Sequence, residues 1–176
     1  MATSTTCAVL GCEGVGKSSF ISRYLYNYLP SKYVPTKHPK TSTYTFTFPP
    51  PSIQLTIIES IELPEDPISS AILLYDPLQP MTLDYVEKMI IQIQDKYPRN
   101  IGLVIAAVVR GTTKTGRGRT IATKYNANFI LADMNSRNSI KRCFAVSIQW
   151  GKKNLAWESR KPLLYLREKT RQHLRS

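Results

Sequence analysis

The sequence predicts an α/β layered domain built on a mostly parallel sheet, and three observations carry that prediction. Strand-like and helix-like hydrophobic periods alternate along the chain from Thr6 onward. The run Leu103 to Val109 is almost wholly β-branched or small and apolar, as a strand covered on both faces is. The chain also has 176 residues, 42% of them hydrophobic, which suffices for one core without disulfides or a structural metal.

The elements follow in order. Thr6 to Leu10 is a short apolar strand, and Lys17 to Tyr28 places Phe20, Ile21, Tyr24, Leu25 and Tyr28 on one helical face. Thr43 to Phe48 alternates with period two. Pro49-Pro50-Pro51 then interrupts the chain, because proline fixes φ and lacks a donor, and Ile53 to Ile58 follows as a strand placed to form a hairpin with the one before. Ala71 to Tyr75 is a further apolar strand. Thr82 to Tyr97 repeats apolar residues at Leu83, Val86, Ile90 and Ile93, the pattern of a helix packed on one side. Beyond Leu103 to Val109, Thr120 to Asn126 is a short helix and Phe129 to Ala132 a short strand. Ile140, Phe144 and Ile148 mark a last core helix that Gly151 ends. The expected architecture is a six-stranded sheet with about five flanking helices, residues 1–151 forming the domain and residues 152–176 a basic, helical extension.

Composition excludes several classes. Cys7, Cys12 and Cys143 are odd in number and have neither CxxC nor Cys/His spacing, so neither a disulfide framework nor a zinc site is expected. The longest apolar stretch, Ile101 to Val109, is about half of a bilayer span, and the polar start has no signal-peptide core, so a cytoplasmic protein is expected. Charge is unevenly placed. Residues 1–98 carry 7 basic and 9 acidic side chains, whereas residues 99–176 carry 17 basic and 3 acidic. The second half therefore either attracts anionic partners or is a solvated basic face.

One motif carries chemistry. Gly11-Cys12-Glu13-Gly14-Val15-Gly16-Lys17-Ser18 satisfies G-x-x-x-x-G-K-[ST] between a strand and a helix, the context that such a phosphate loop requires. The glycines let backbone amides converge on phosphate oxygens, and the helix adds its positive end. Lys17 brings a charge to the β- and γ-phosphates, and Ser18 offers a hydroxyl to Mg²⁺. Glu13, Gly14, Val15, Gly16, Lys17, Ser18 and Ser19 are the expected phosphate contacts.

From these residues on, the chain resembles the Ras superfamily of small GTPases, a branch of the P-loop NTPases, over about Thr5 to Trp150. The segment Asn27-Tyr28-Leu29-Pro30-Ser31-Lys32-Tyr33-Val34-Pro35-Thr36 looks like the family's first switch. The resemblance implies that Tyr33 covers the phosphates, that Thr36 joins Ser18 on Mg²⁺, and that the ligand is GTP or GDP. It also implies a role in signalling or trafficking through a protein effector.

The family's other motifs are altered. Where the third strand would end in D-x-x-G, the chain reads Glu59-Ser60-Ile61-Glu62. Glu59 is one methylene longer than aspartate and is placed to reach the metal through water. Glu62 brings a side chain and a negative charge toward the γ-phosphate, where Glu13 already lies. Leu63 stands where many members hold the attacking water with glutamine, and leucine has no group for that task. Hydrolysis is therefore expected to be weak or absent. The N/T-K-x-D that reads guanine is also missing, whether Val108-Val109-Arg110-Gly111 or Thr113-Lys114-Thr115-Gly116 is aligned to it. Loss of a charged bidentate contact costs about 3 kcal/mol, roughly a hundredfold in affinity. Asp133-Met134-Asn135 replaces S-A-K, and Leu29 stands where an aromatic side chain often stacks on the base.

Two function classes follow: a nucleotide-binding protein that hydrolyses little, and a nucleotide-free pseudo-GTPase that serves as a scaffold or adaptor. In the second, Lys17 needs a counter-charge, which Glu13, Glu59 or Glu62 is placed to supply. A nucleic-acid binder using the basic half is the weaker third class. Arg110, Lys114, Arg117 and Arg119 among Gly111, Gly116 and Gly118 read as an exposed basic loop. The basic extension suits either an anionic membrane surface or docking on protein, and the absence of Cys-a-a-X implies no C-terminal prenyl anchor. His38 and His173 have no company for a metal. Cys12 is expected to be an inert thiol.

Overall fold

The computed structural model describes residues 3–30, 40–46, 53–97, 101–109 and 115–149. Alternating strands and helices form β1 (Thr3–Leu10), α1 (Lys17–Tyr26), β2 (Lys40–Phe46), β3 (Ile53–Ser60), β4 (Ser70–Tyr75), α2 (Pro80–Lys96), β5 (Gly102–Val109), α3 (Gly116–Lys124) and β6 (Asn128–Asp133). A last helix, α4, covers residues 137–149. Six strands form one sheet, and five of them run parallel, in the order β3-β1-β4-β5-β6. The remaining strand, β2, pairs antiparallel with β3 on the edge, as expected of the two strand segments on either side of the prolines. Of the flanking helices four lie among the described residues; the extension expected at 152–176 lies outside them.

The alternation of side chains along each strand builds two cores. Cys7, Val9, Ile72, Leu74, Val104 and Ala106 face α1 and α4, where Phe20, Ile140 and Phe144 fill the layer. Their neighbours Ala8, Leu10, Ala71, Leu73, Ile105 and Ala107 face α2 and α3 and meet Leu83, Val86, Ile90, Ile93 and Ile121. Every residue of β4 and β5 is buried, so these strands need apolar side chains on both faces and read as continuous runs. On the first face Phe144 stacks on Tyr24 with ring centroids 3.9 Å apart and on Phe20 at 5.4 Å.

Three helix ends depart from their expected positions for local reasons. α1 stops before Tyr28 because Asn27 adopts a left-handed conformation, φ 57°, and its N–H donates to the Ser22 carbonyl. α2 begins at Pro80 rather than Thr82, since proline needs no amide partner in a first turn. α3 begins at Gly116, so the glycine- and arginine-rich segment expected to be a loop is already helix from there on. Gly118 is what allows it. A Cβ at this position would run into the Tyr75 hydroxyl and lie 2.7 Å from the ring carbon that bears it, so glycine lets α3 lie this close to the Tyr75 side chain. Two of the segment's cations are committed within the domain: Arg117 bonds Asp84 on α2 at 2.5 Å, and Arg119 lies over the Phe129 ring. Lys124 likewise bonds Glu87 at 2.8 Å. Among the described residues, no helix is long and apolar enough to cross a membrane.

Candidate functional site

The loop after β1 is held from below and open above. Leu10 and Val15 are buried, so the chain leaves the sheet, dips once into the core at Val15, and rises into α1. Gly14 and Gly16 have φ of 77° and 102°, the left-handed region where a side chain would be strained, and nothing stands within 4 Å of where their Cβ atoms would be. Gly16 caps α1 without a side chain, and the first turn contains no acidic residue. The first amides of α1 therefore keep the helix's positive end without a side-chain cap.

Lys17 lies inside this turn. It is 5% exposed, and its Nζ donates to the Gly11 carbonyl at 2.9 Å and the Cys12 carbonyl at 3.0 Å. An ammonium has three N–H donors, so the two carbonyls fix its position and leave one donor over. Burial lowers the Lys17 pKa below its ordinary value, opposed first by the negative charge of Glu59 and then by Cys12 and Glu13. Of the carboxylates expected to supply its counter-charge, Glu59 and Glu13 act on Lys17 at a distance, but among the described residues none forms an ion pair with it, and its hydrogen-bond partners are backbone carbonyls. Burial pushes the Cys12 thiol up despite Lys17, which keeps it protonated and unreactive at neutral pH.

Ser18 and Glu59 are brought together across 41 positions of sequence. The parallel register pairs Val9 with Glu59, which sets the carboxylate beside the loop, and Ser18 Oγ donates to Glu59 Oε1 at 2.5 Å. Glu59 is 4% exposed. The pair has chemistry that fits a divalent cation, because a hydroxyl that ligates metal must turn its single proton away, and Glu59 takes that proton. Hard oxygen donors of this kind fit Mg²⁺. Of the other expected residues, Glu13 and Gly14 are exposed, and Gly16 and Ser19 are half-buried. Tyr33 and Thr36 lie outside the described residues, as do His38 and His173. Among the described residues, no three His, Cys, Asp or Glu side chains cluster around a metal position.

The segment after β3 is tied to α2 and to its side of the core. Leu63 packs against the α2 side of the core. Glu62 is exposed, with its N–H on the Ser60 hydroxyl at 3.1 Å. Tyr85, on α2, donates its phenol to the Ile61 carbonyl and so ties this segment down. Sequence reasoning missed Tyr85. Its only signal was an aromatic residue beside Val86 on a helix whose apolar stripe was already filled.

The residues aligned with the resemblance's base-reading motifs have partners within the protein. Asp133 accepts the Asn135 N–H at 2.9 Å, an Asx turn that commits one carboxylate oxygen, and Arg23 donates to the Asn135 carbonyl at 2.7 Å. Arg137 donates to the Tyr24 and Leu25 carbonyls at the end of α1. Leu29 packs on the α1 face of the core. Residues 110–114 lie outside the described residues. Comparison with family models and with curated proteins gives no match, so the chemistry of the loop has to be read from its own residues.

Proposed function

We propose that this chain is a small GTPase-like, nucleotide-binding domain that hydrolyses little or nothing and acts through protein contacts. The observation that carries the reading is the buried Lys17 ammonium. It is fixed by two carbonyls with a third donor left over, under a turn whose helix end has no side-chain cap. A buried cation beside converging amides is a strong attractor for phosphate oxygens. Glu13 to Ser19 would hold the phosphates, Ser18 with Glu59 and Thr36 would hold Mg²⁺, and Tyr33 would cover the ligand. Mg²⁺ supplies charge neutralisation between phosphate oxygens when bound. Leu63 and Glu62 bring no group able to orient a water, which is why turnover is not part of the proposal. Weak recognition of the base follows from the Asx turn of Asp133 and from Leu29.

A second reading, a nucleotide-free scaffold, draws on the same geometry: Lys17 and Ser18 both have partners within the protein, so the loop does not need a ligand to satisfy them. Thermal unfolding with GDP, GTP and ATP, with and without Mg²⁺, separates the two. A ligand at a hundred times its Kd stabilises by about 2.7 kcal/mol, a shift of several degrees. No shift with any nucleotide at millimolar concentration would leave the scaffold. The basic extension is proposed to add contacts to a protein partner or to an anionic membrane surface. Salt-dependent retention on anionic vesicles tests the latter.

A further inference from the structure

The chain between β3 and β4 has little slack. It leaves the sheet after Ser60 and rejoins it at Ser70, where Ile68 is buried and the Ser69 N–H donates to the Thr6 carbonyl at 2.8 Å. Between those ends α2 grips the backbone repeatedly. The Tyr85 phenol donates to the Ile61 carbonyl. Lys96, about three helical turns further along and on the same face, donates its Nζ to the Pro64 carbonyl at 2.8 Å and to the Glu65 carbonyl at 3.2 Å. Its ammonium also lies 5.6 Å from the centre of the Tyr97 ring, and the Tyr97 hydroxyl donates to the Asp66 carbonyl at 3.5 Å. Leu63 packs into the core between these anchors, and Pro64 and Pro67 fix φ at two more positions. Every one of these hydrogen bonds takes a carbonyl, so the side chains of Glu62, Glu65 and Asp66 stay exposed.

We infer that Tyr85, Lys96 and Tyr97 make α2 a clasp that holds residues 61–66 in one conformation, whatever occupies the loop from Gly11 to Ser18. A partner that reads this segment then meets the same surface with and without a ligand in the loop. The inference goes beyond the phosphate-binding reading and does not depend on it. Its basis is where the anchors fall. Glu59 takes the Ser18 proton at 2.5 Å, so a change at the loop is felt at the end of β3, and the first anchor on α2 follows two residues later at Ile61. To move further, the segment has to release the carbonyls of Ile61, Pro64, Glu65 and Asp66 and draw Leu63 out of the core in one step.

Limited proteolysis of the full chain with a glutamate-specific endopeptidase tests the clasp, because Glu62 and Glu65 lie within the segment and cutting there requires local opening. In the Tyr85→Phe, Lys96→Met double variant, cleavage after these two residues is expected to be about tenfold faster, and in Tyr85→Phe alone about threefold faster, the effect of losing one or two hydrogen bonds. Both substitutions keep the apolar part of the side chain. The unfolding midpoint and the rate of cleavage after Glu87, inside α2, check that the rest of the fold is kept. GDP or GTP with Mg²⁺ at millimolar concentration is expected to leave cleavage after Glu62 and Glu65 within about twofold of the unliganded rate. Unchanged cleavage in the double variant overturns the inference. So does a nucleotide that raises the thermal midpoint and also alters cleavage at these sites by more than about twofold. If no nucleotide raises the midpoint, the phosphate-binding reading fails, and the double variant alone decides the clasp.

Discussion

Ser18 gives its single hydroxyl proton to Glu59, Oγ to Oε1 at 2.5 Å, across 41 positions of sequence. The arrangement joins a helix start to a strand end and holds the serine hydroxyl in one orientation. Ser18→Ala removes one donor from a carboxylate that is 4% exposed, so it is expected to destabilise the domain by about 1–3 kcal/mol in urea unfolding. The same substitution is expected to abolish any Mg²⁺-dependent part of nucleotide stabilisation, read as the difference in thermal midpoint with and without the metal.

Gly16 at φ 102° has open space around it, so substitution there has a backbone cost and no steric one. Gly16→Ala is expected to lose about 1–3 kcal/mol, the cost of a left-handed residue with a side chain. Gly14→Ala should lose a comparable amount. Chemical denaturation of the two variants checks both, and an unchanged midpoint in either would mean that the turn adopts another conformation.

Gly118 and Tyr75 are coupled by contact. The Tyr75 hydroxyl is buried and has no hydrogen-bond partner among the described residues, while a Cβ on residue 118 would run into it. Gly118→Ala is expected to cost about 1–3 kcal/mol through overpacking. Tyr75→Phe removes an unpaired polar atom and should cost little. In the double variant part of the loss is recovered, and a double-mutant cycle on urea midpoints is expected to give a coupling of about 0.5–2 kcal/mol.

Alkaline pH should weaken the fold. Burial pushes the Cys143 thiol from 9.0 up to about 12 and the Tyr24 and Tyr75 phenols from 10.0 up to about 12. Above the ordinary values the unfolded chain has lost these protons while the native state keeps them, so the native state binds more protons and stability falls as pH rises. The contribution is complete below pH 9 and is lost between there and pH 12. Lys17 acts in the opposite sense, because its lowered pKa makes the unfolded state the better proton binder below 10.5. One lysine does not offset three acids shifted upward. Urea midpoints from neutral pH into this range should therefore decline, and Cys143→Ala should flatten the lower part of the decline.

The exposed ion pairs between α2 and α3 should matter less. Arg117–Asp84 is more than half exposed on both sides, so Asp84→Asn is expected to change stability by no more than about 1 kcal/mol and less in high salt. A larger effect would mean that this pair sets the position of α3.

Much of the fold was legible because it is written in local periods. Apolar runs at β4 and β5, alternation at β2, and the stripe Leu83, Val86, Ile90, Ile93 each state which face is covered within a few residues of sequence. Element ends were less legible. The start of α3 depended on Tyr75, 41 to 43 positions earlier, lying where it tolerates only a glycine, and the basic residues expected to be free in a loop found Asp84 and Phe129 instead.

The turn between β1 and α1 was legible in the sequence alone, since glycines between a strand and a helix call for a left-handed turn, and Gly14 and Gly16 take that conformation. The roles within it were decided by tertiary structure. That Glu59 is the acid which reaches Ser18 follows from the register of β3 on β1, while Lys17 rests on the Gly11 and Cys12 carbonyls of its own loop. Local pattern specifies which conformation a segment takes. Partners between distant segments are set by the sheet that aligns them, because hydrogen bonds and buried charges depend on ångström distances that no spacing along the chain records.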